Sequence, residues 1–250
     1  MSAPEPSGKA YSVSFVLPCY NEEANIERAI DEVTRVAERL CAEHEIIVVD
    51  DGSADGSVAL VQRCAETDPR VRLVQHEGNR GYGEALRSGF TSAELDLVFF
   101  TDSDNQFVLD ELERFLPWID HVHVVAGYRA NRQDPPARRL MARGWNYLVR
   151  VLFYVPVRDI DCAFKLFRRS VFEELDLEAV GAMVSTELMV KVGRSGFGVV
   201  EIPVTHLPRT AGEARGADPR VILRAFRELR SMRRRLQVAS GATKPRPVRV

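Results

Sequence analysis

The chain has 250 residues, 34 Lys or Arg against 36 Asp or Glu, and a net charge of −2. With 45% hydrophobic and 28% charged residues it has the composition of an ordinary globular protein, which excludes disordered, collagen-like and disulfide-scaffold classes. The charge is unevenly spread: from Pro219 onward there are ten Lys or Arg and one acid, Glu228, leaving the acids to the body of the chain.

In chain order, SVSFVLP (12–18) is a β-branched, aromatic run and reads as a strand. Residues 21–40 carry apolar positions at 26, 30, 33, 36/37 and 40, a helical period with acids in the first turn. EIIVVD (45–50) reads as a buried strand, SVALVQRCAET (57–67) as a helix and VRLVQ (71–75) as a strand. GYGEALRSGFTSA (81–93) is a helix opened by glycines, LDLVFF (95–100) a strand, LDELERFLPWI (109–119) a helix and HVVAG (123–127) a strand. Strands alternating with helices predict a mostly parallel, doubly wound α/β sheet covered on both faces.

In such a sheet ligands sit beyond the carboxyl ends of the strands. The acids fall there: Asp50 and Asp51 end the second strand, Asp102 and Asp104 the fourth, and Pro18, Tyr20 and Glu22 close the first. Carboxylates crowded on one rim are costly without a cation or hydrogen-bond donors to offset them. Asp-x-Asp alone is equally compatible with a polar turn, and Asp50-Asp51-Gly52-Ser53 with a strand-to-helix turn capped by serine.

Other chemistries lack their motifs. There is no Walker loop, no G-x-G-x-x-G after the first strand and no G-x-S-x-G elbow. Histidines 44, 76, 121, 123 and 206 form no metal-ligand pair, and His121 and His123 read as structural. Four scattered cysteines without C-x-x-C suit a reducing compartment, and MSAPEPSGKA has no signal-peptide core. The apolar run at 149–157 is too short to span a bilayer.

LPCYNEEANI, IIVVDDGSADGS, GNRGYGEALRSGF and DSDNQ, in that order, resemble family 2 glycosyltransferases, and RDIDCAFKLFRR, STELMVK and VEIPVTHLPRTAGEAR resemble the polyprenyl-phosphate mannose or glucose synthase branch. The resemblance implies a single-domain, nucleotide-sugar-binding glycosyltransferase A fold. It also implies an Mg²⁺ or Mn²⁺ cofactor held by Asp102, Asp104 and Gln106. By the same resemblance Pro18, Tyr20, Glu22, Val49, Asp51 and Ser103 line the nucleotide-sugar pocket, with Arg129, Arg209 and Arg215 near the phosphates. Three positions depart from the family: Ala214 and Arg215 stand where serine and lysine are usual, and Ala163 where glycine is usual.

The expected activity is metal-dependent, inverting transfer of a hexose, mannose from GDP-mannose, to a polyprenyl phosphate. Asp104, Arg129 and Arg215 are the expected catalytic residues. An anionic phosphate acceptor needs no base; a hydroxyl acceptor needs one, for which Glu187 is the first candidate and Asp161 the second, Glu187 fitting equally well as a helix N-terminal acid, and neither is assigned the role. A soluble hydroxyl acceptor, a sugar nucleotidyltransferase and a non-catalytic binding module stay open. No nucleic-acid partner is implied.

The organisation expected is a disordered 1–11, a catalytic domain over 12–218, a basic amphipathic helix over 219–236 and a disordered 237–250. Ile222, Phe226, Leu229, Met232 and Leu236 share one face of that helix and arginines take the rest. This predicts contact with an anionic membrane surface or a membrane partner, in a cytoplasmic protein peripheral to the inner face of the cell membrane.

Overall fold

A computed structural model of the chain describes residues 10–131, 136–153, 155, 157–208, 228–230 and 232–234, with backbone alone at 136–139. Its centre is a seven-stranded sheet in the order β3-β2-β1-β4-β6-β5-β7. The first four strands are β1 (Ser12–Cys19), β2 (Glu43–Asp50), β3 (Val71–Gln75) and β4 (Leu97–Thr101). The last three are β5 (Val124–Arg129), β6 (Phe164–Arg168) and β7 (Val199–Val204). Only β6 runs against its neighbours, β4 and β5; the other pairings are parallel.

The near-continuous burial of β1, β2 and β4 is what a sheet covered on both faces requires. Helices α1 (Ile26–Leu40) and α2 (Ser57–Thr67) pack on each other, and α3 (Tyr82–Ser92) on α7 (Met183–Arg194). Gly89 lets α3 approach the sheet: a Cβ there would lie 2.3 Å from Val16 Cγ1. Phe99 anchors the centre, edge-on to Phe164 at 4.7 Å and to Phe15 at 5.6 Å.

Two expected helices differ. The 21–40 helix begins at Ile26, because Asn21 sits at φ 54 and the amides of Asn25 and Ile26 both donate to the Glu22 carbonyl in a turn. The 109–119 helix divides into a 3₁₀ turn, Leu109–Arg114, and the single turn α4, Leu116–Ile119. Pro117 contributes no amide hydrogen at that junction. The half of the chain after residue 130 adds α5 (Pro136–Phe153), β6, α6 (Ser170–Glu174), α7 and β7.

Arg209, Arg215 and most of 219–236 lie outside the described residues, as do 1–9 and 237–250. Where the basic segment is described, 228–230 and 232–234 are helical with Leu229 and Met232 buried. At those two positions the apolar face packs against the protein core, while Arg230, Arg233 and Arg234 are exposed.

Candidate active site

The acids gather at the carboxyl ends of β1, β2 and β4, and the loops there are tied to one another. The Asn21 amide donates to Ser53 Oγ at 2.8 Å, and Asn21 Oδ1 accepts from the Ala54 amide at 2.7 Å. The Glu22 amide donates to Ser57 Oγ at 3.0 Å, and Glu22 Oε2 accepts from Asn25 Nδ2 at 2.6 Å. Asp50 is fully buried and its Oδ2 accepts from the amides of Gly52 and Ser53. Gly52 needs its missing side chain: φ is +75, and a Cβ would lie 2.5 Å from the Gly78 carbonyl carbon.

Asp51 faces inward. Its Oδ1 accepts from the Arg80 amide and its Oδ2 from the Gly81 amide, both at 2.8 Å. His76 completes this arrangement, with Nδ1 2.8 Å from Asp51 Oδ1 and Nε2 2.9 Å from Ser88 Oγ. Asp51 thus anchors the glycine-rich turn 78–81 to the end of β2. Val49, expected at the nucleotide pocket, is fully buried with its side chain toward Gly89 of α3.

Beyond β4 the structure joins Pro18 and Ser103, whose hydroxyl donates to the Pro18 carbonyl at 2.8 Å. Asp102 Oδ1 accepts from the Tyr82 hydroxyl at 2.8 Å, and Asp104 Oδ1 from the Gln106 amide at 3.2 Å. Asn105, between them, takes φ 56 and ties back through Nδ2 to the Asn25 carbonyl. Gln106 turns its Nε2 to the Leu207 carbonyl at 3.0 Å. Burial pushes the Asp102 carboxyl above its ordinary range, while the Tyr82 hydrogen bond and the charges of Arg129 and Lys165 pull it back. Burial, then the neighbouring Asp102, also raises the Tyr82 phenol well above its ordinary value.

The carboxylates of Asp102 and Asp104 are hard oxygen donors on one strand end, the type Mg²⁺ and Mn²⁺ take. No group of three or more His, Cys, Asp or Glu among the described residues is arranged to hold an ion alone. Asp102 and Asp104 are the residues that would hold such an ion, with a bound anion to supply further ligands.

On the β5 side, Arg129 is locked to Asp159, with Nε and Nη2 each 2.7 Å from a carboxylate oxygen. Burial works against the guanidinium charge, but Asp159 more than offsets it and keeps the group above its ordinary value. Fully buried Lys165 donates to the carbonyls of Ile160 and Cys162 and so shapes the turn after Asp159. The pair opens on a cleft of about 610 Å³ whose lining includes Arg129, Arg143, Asn146, Arg150, Arg158 and Asp159. Of its four arginines, Arg129 is paired with Asp159 and Arg158 lies 3.5 Å from Glu201, so the lining is cationic but partly neutralised.

The Glu187 carboxylate is taken up by backbone amides and a lysine. It is buried, with Oε2 accepting from the amides of Glu178 and Ala179 at 2.9 and 2.7 Å and Oε1 2.8 Å from Lys191 Nζ. Asp161 is exposed on the turn before β6. His123 accepts from the Gly198 amide at 3.3 Å, in keeping with a structural histidine. Sequence reasoning missed Asp159, Lys165, Tyr82 and His76. The one signal available was the Asp-rich RDIDCAFK segment, which as a sequence does not disclose its partner in GYR.

A mostly parallel sheet with one antiparallel strand, β6, and an acidic D-x-D rim at the strand ends is the arrangement of the glycosyltransferase A fold. The chain belongs to glycosyl transferase family 2, whose model matches residues 14–176. It is 31% identical over 220 residues to the undecaprenyl-phosphate 4-deoxy-4-formamido-L-arabinose transferase of Enterobacter sp. (strain 638), covering 85% of this chain and 64% of that protein. The protein of the same name in Pseudomonas aeruginosa (strain LESB58) is 34% identical over 219 residues, 84% of this chain and 62% of the relative. The chain thus spans a little under two thirds of the length of these relatives.

Among solved structures, mannosyl-3-phosphoglycerate synthase from Rubrobacter xylanophilus superposes with a TM-score of 0.68 at 21% identity, covering 96% of this chain and 78% of that one. Glucosyl-3-phosphoglycerate synthase from Mycobacterium tuberculosis, in complex with Mn²⁺, UDP-glucose and phosphoglyceric acid, gives a TM-score of 0.66 at 21% identity, with coverages of 89% and 80%. At that identity the likeness establishes the fold.

Proposed function

We propose that the chain transfers a glycosyl group from a nucleoside diphosphate sugar to a polyprenyl phosphate, with a divalent cation on Asp102 and Asp104. The observation that supports this reading is the arginine-bearing cleft, whose Arg129 lies close enough to the acidic rim for its charge to act on Asp102. The relatives are named for undecaprenyl phosphate, which agrees with an anionic lipid acceptor.

In this reading Pro18, Tyr20, Glu22, Asp51 and Ser103 shape the nucleotide side of the rim, and Asp51 does so by holding the 78–81 turn. The cation, when bound, neutralises charge that grows on the diphosphate as its bond to the sugar breaks. Arg129 holds its direction against Asp159 and faces the acceptor cleft, with Arg143, Arg150 and Arg158 as further cations. Arg209 and Arg215 remain residues we assign to the donor phosphates from the family pattern. An acceptor phosphate oxygen attacks the anomeric carbon, the nucleoside diphosphate leaves with the bonding electrons, and the anomeric configuration inverts. The acceptor is anionic, so no side chain need take a proton, which accords with Glu187 being spent on backbone amides.

For the donor, the sequence resemblance implies GDP-mannose while the relatives carry a modified L-arabinose in their name. The class we propose is a nucleoside diphosphate sugar, and these two sugars are the ones to compare. Thermal-shift screening of GDP, UDP and their sugars with Mn²⁺ tests the donor half: stabilisation by one nucleoside diphosphate that requires the cation is expected. Stabilisation by none of them, with or without Mn²⁺, rejects it.

We further propose peripheral attachment at the inner face of the cell membrane through α5. Its inner side packs Val149 and Phe153 into the core, yet Leu140 is 71% and Tyr147 72% exposed, with Met141 and Val151 exposed beside them. The helix contains arginines and no acid, and Arg143 and Arg150 also line the acceptor cleft. An apolar stripe flanked by cations suits an anionic lipid interface. No helix among the described residues is long and apolar enough to cross a membrane.

A further inference from the structure

Tyr82 opens α3, and its position is set from two sides. On one side Asp51 holds the amides of Arg80 and Gly81 at 2.8 Å. On the other, the Gly83 amide donates to the Val180 carbonyl at 2.8 Å. The contact leaves no room for side chains: a Cβ on Gly81, at φ +101, would lie 2.5 Å from the Val180 oxygen, and one on Gly83 would lie 2.1 Å from the Ala179 oxygen. The 178–180 backbone is in turn fixed by Glu187, which accepts the amides of Glu178 and Ala179 and is paired with Lys191. A buried carboxylate on α7 thus places the backbone that places Tyr82. The hydroxyl so delivered ends 2.8 Å from Asp102 Oδ1.

We propose that Tyr82 is a positioning residue for the D-x-D site: its hydroxyl holds one oxygen of Asp102 so that the carboxylate presents a single orientation to a divalent cation. This rests on the metal role of Asp102 proposed above. A carboxylate on an unrestrained χ2 samples a broad range of orientations. A donor fixed on a rigid helix start removes that freedom before the ion arrives, and outer hydrogen bonds of this kind commonly change metal affinity 10–100-fold. Asp51 and Glu187 act behind Tyr82 as supports of the glycine turn.

The test is Tyr82→Phe, which keeps the ring and deletes the hydroxyl. Mn²⁺ binding is measured by the electron paramagnetic resonance signal of free Mn²⁺, with GDP or UDP present, and turnover is followed against Mn²⁺ concentration. The expected result is a Mn²⁺ dissociation constant raised about tenfold or more, with turnover largely recovered at saturating Mn²⁺ and metal-free nucleotide binding unchanged. A merely structural tyrosine predicts a lower melting temperature and a turnover depressed at every Mn²⁺ concentration, with Mn²⁺ affinity as in the wild type; that result overturns the proposal. Asp104→Asn serves as the control for the site itself. If the wild type binds no Mn²⁺, the metal reading falls and the role of Tyr82 with it; if only the Tyr82→Phe comparison is flat, the metal reading stands and the tyrosine's role is refuted.

Discussion

Arg129 and Asp159 form a two-pronged ion pair across the ends of β5 and the turn before β6, with side chains only 12% and 8% exposed. The residues lie 30 apart in sequence, and the pair fixes the direction of the Arg129 guanidinium in the wall of the cleft. Breaking it strands a charge away from water. Asp159→Asn is therefore expected to cost about 3 kcal/mol of unfolding free energy, read by chemical denaturation, and to weaken acceptor use more than donor binding. A loss below about 0.5 kcal/mol, the range of ordinary surface changes, would show that the pair contributes little.

Asp104→Asn removes a charge from the rim while preserving shape. Loss of one carboxylate ligand is expected to raise the barrier by about 3 kcal/mol, roughly a 100-fold fall in turnover. Circular dichroism should report an unchanged fold. Near-normal turnover at saturating Mn²⁺ would reduce the Asp102–Asp104 segment to a polar turn.

Much of this was legible in the sequence, and what was hidden has a physical pattern. β1, β2 and β4 announce themselves because buried parallel strands are near-continuous apolar runs. The acids of IIVVDD and FFTDSD sit at the rim because they directly follow such runs. The antiparallel β6 escaped notice since FKLFR carries Lys165, a buried charge whose partners are the carbonyls of Ile160 and Cys162. Tyr82 and His76 escaped because their partners, Asp102 and Asp51, lie 20 and 25 residues away, with geometry that only the assembled sheet creates. The basic 220–237 pattern was read as a lipid face, yet Leu229 and Met232 are buried. A helical period tells which residues share a face and not what that face meets.

That reassignment to α5 can be checked by co-sedimentation with anionic liposomes at low and high salt. Changing Leu140, Tyr147 and Val151 together to Ser is expected to abolish sedimentation while leaving the melting temperature near the wild type, because these side chains are exposed. Changing Arg230, Arg233 and Arg234 to Gln should weaken it less than the α5 change does, and by an amount that vanishes as salt screens the charges. The opposite ranking would return the membrane contact to the basic segment.

A pH effect follows from the link between α1 and the 3₁₀ turn. Arg35 and Arg39 both donate to Asp110, and the Arg35 hydrogen bond is the main cause that holds its carboxyl down at about 2. A carboxyl depressed in the folded state stabilises it above the unfolded value and loses that contribution as pH falls through the folded value. The stability difference between wild type and Asp110→Asn should therefore be constant from pH 7 to about 5 and shrink between pH 4 and 2. The pair is exposed, so the difference is small and falls with salt. A difference that grows on acidification would contradict the assignment.

The most direct measurement is transfer itself. The purified chain is given Mn²⁺, a labelled nucleoside diphosphate sugar and one of three acceptors: a short-chain polyprenyl phosphate, the matching polyprenyl alcohol, or 3-phosphoglycerate. Label should appear on the polyprenyl phosphate alone, as a glycosyl phosphate of inverted anomeric configuration, and disappear with chelator. Transfer to 3-phosphoglycerate or to the alcohol, with none to the lipid phosphate, would contradict the account.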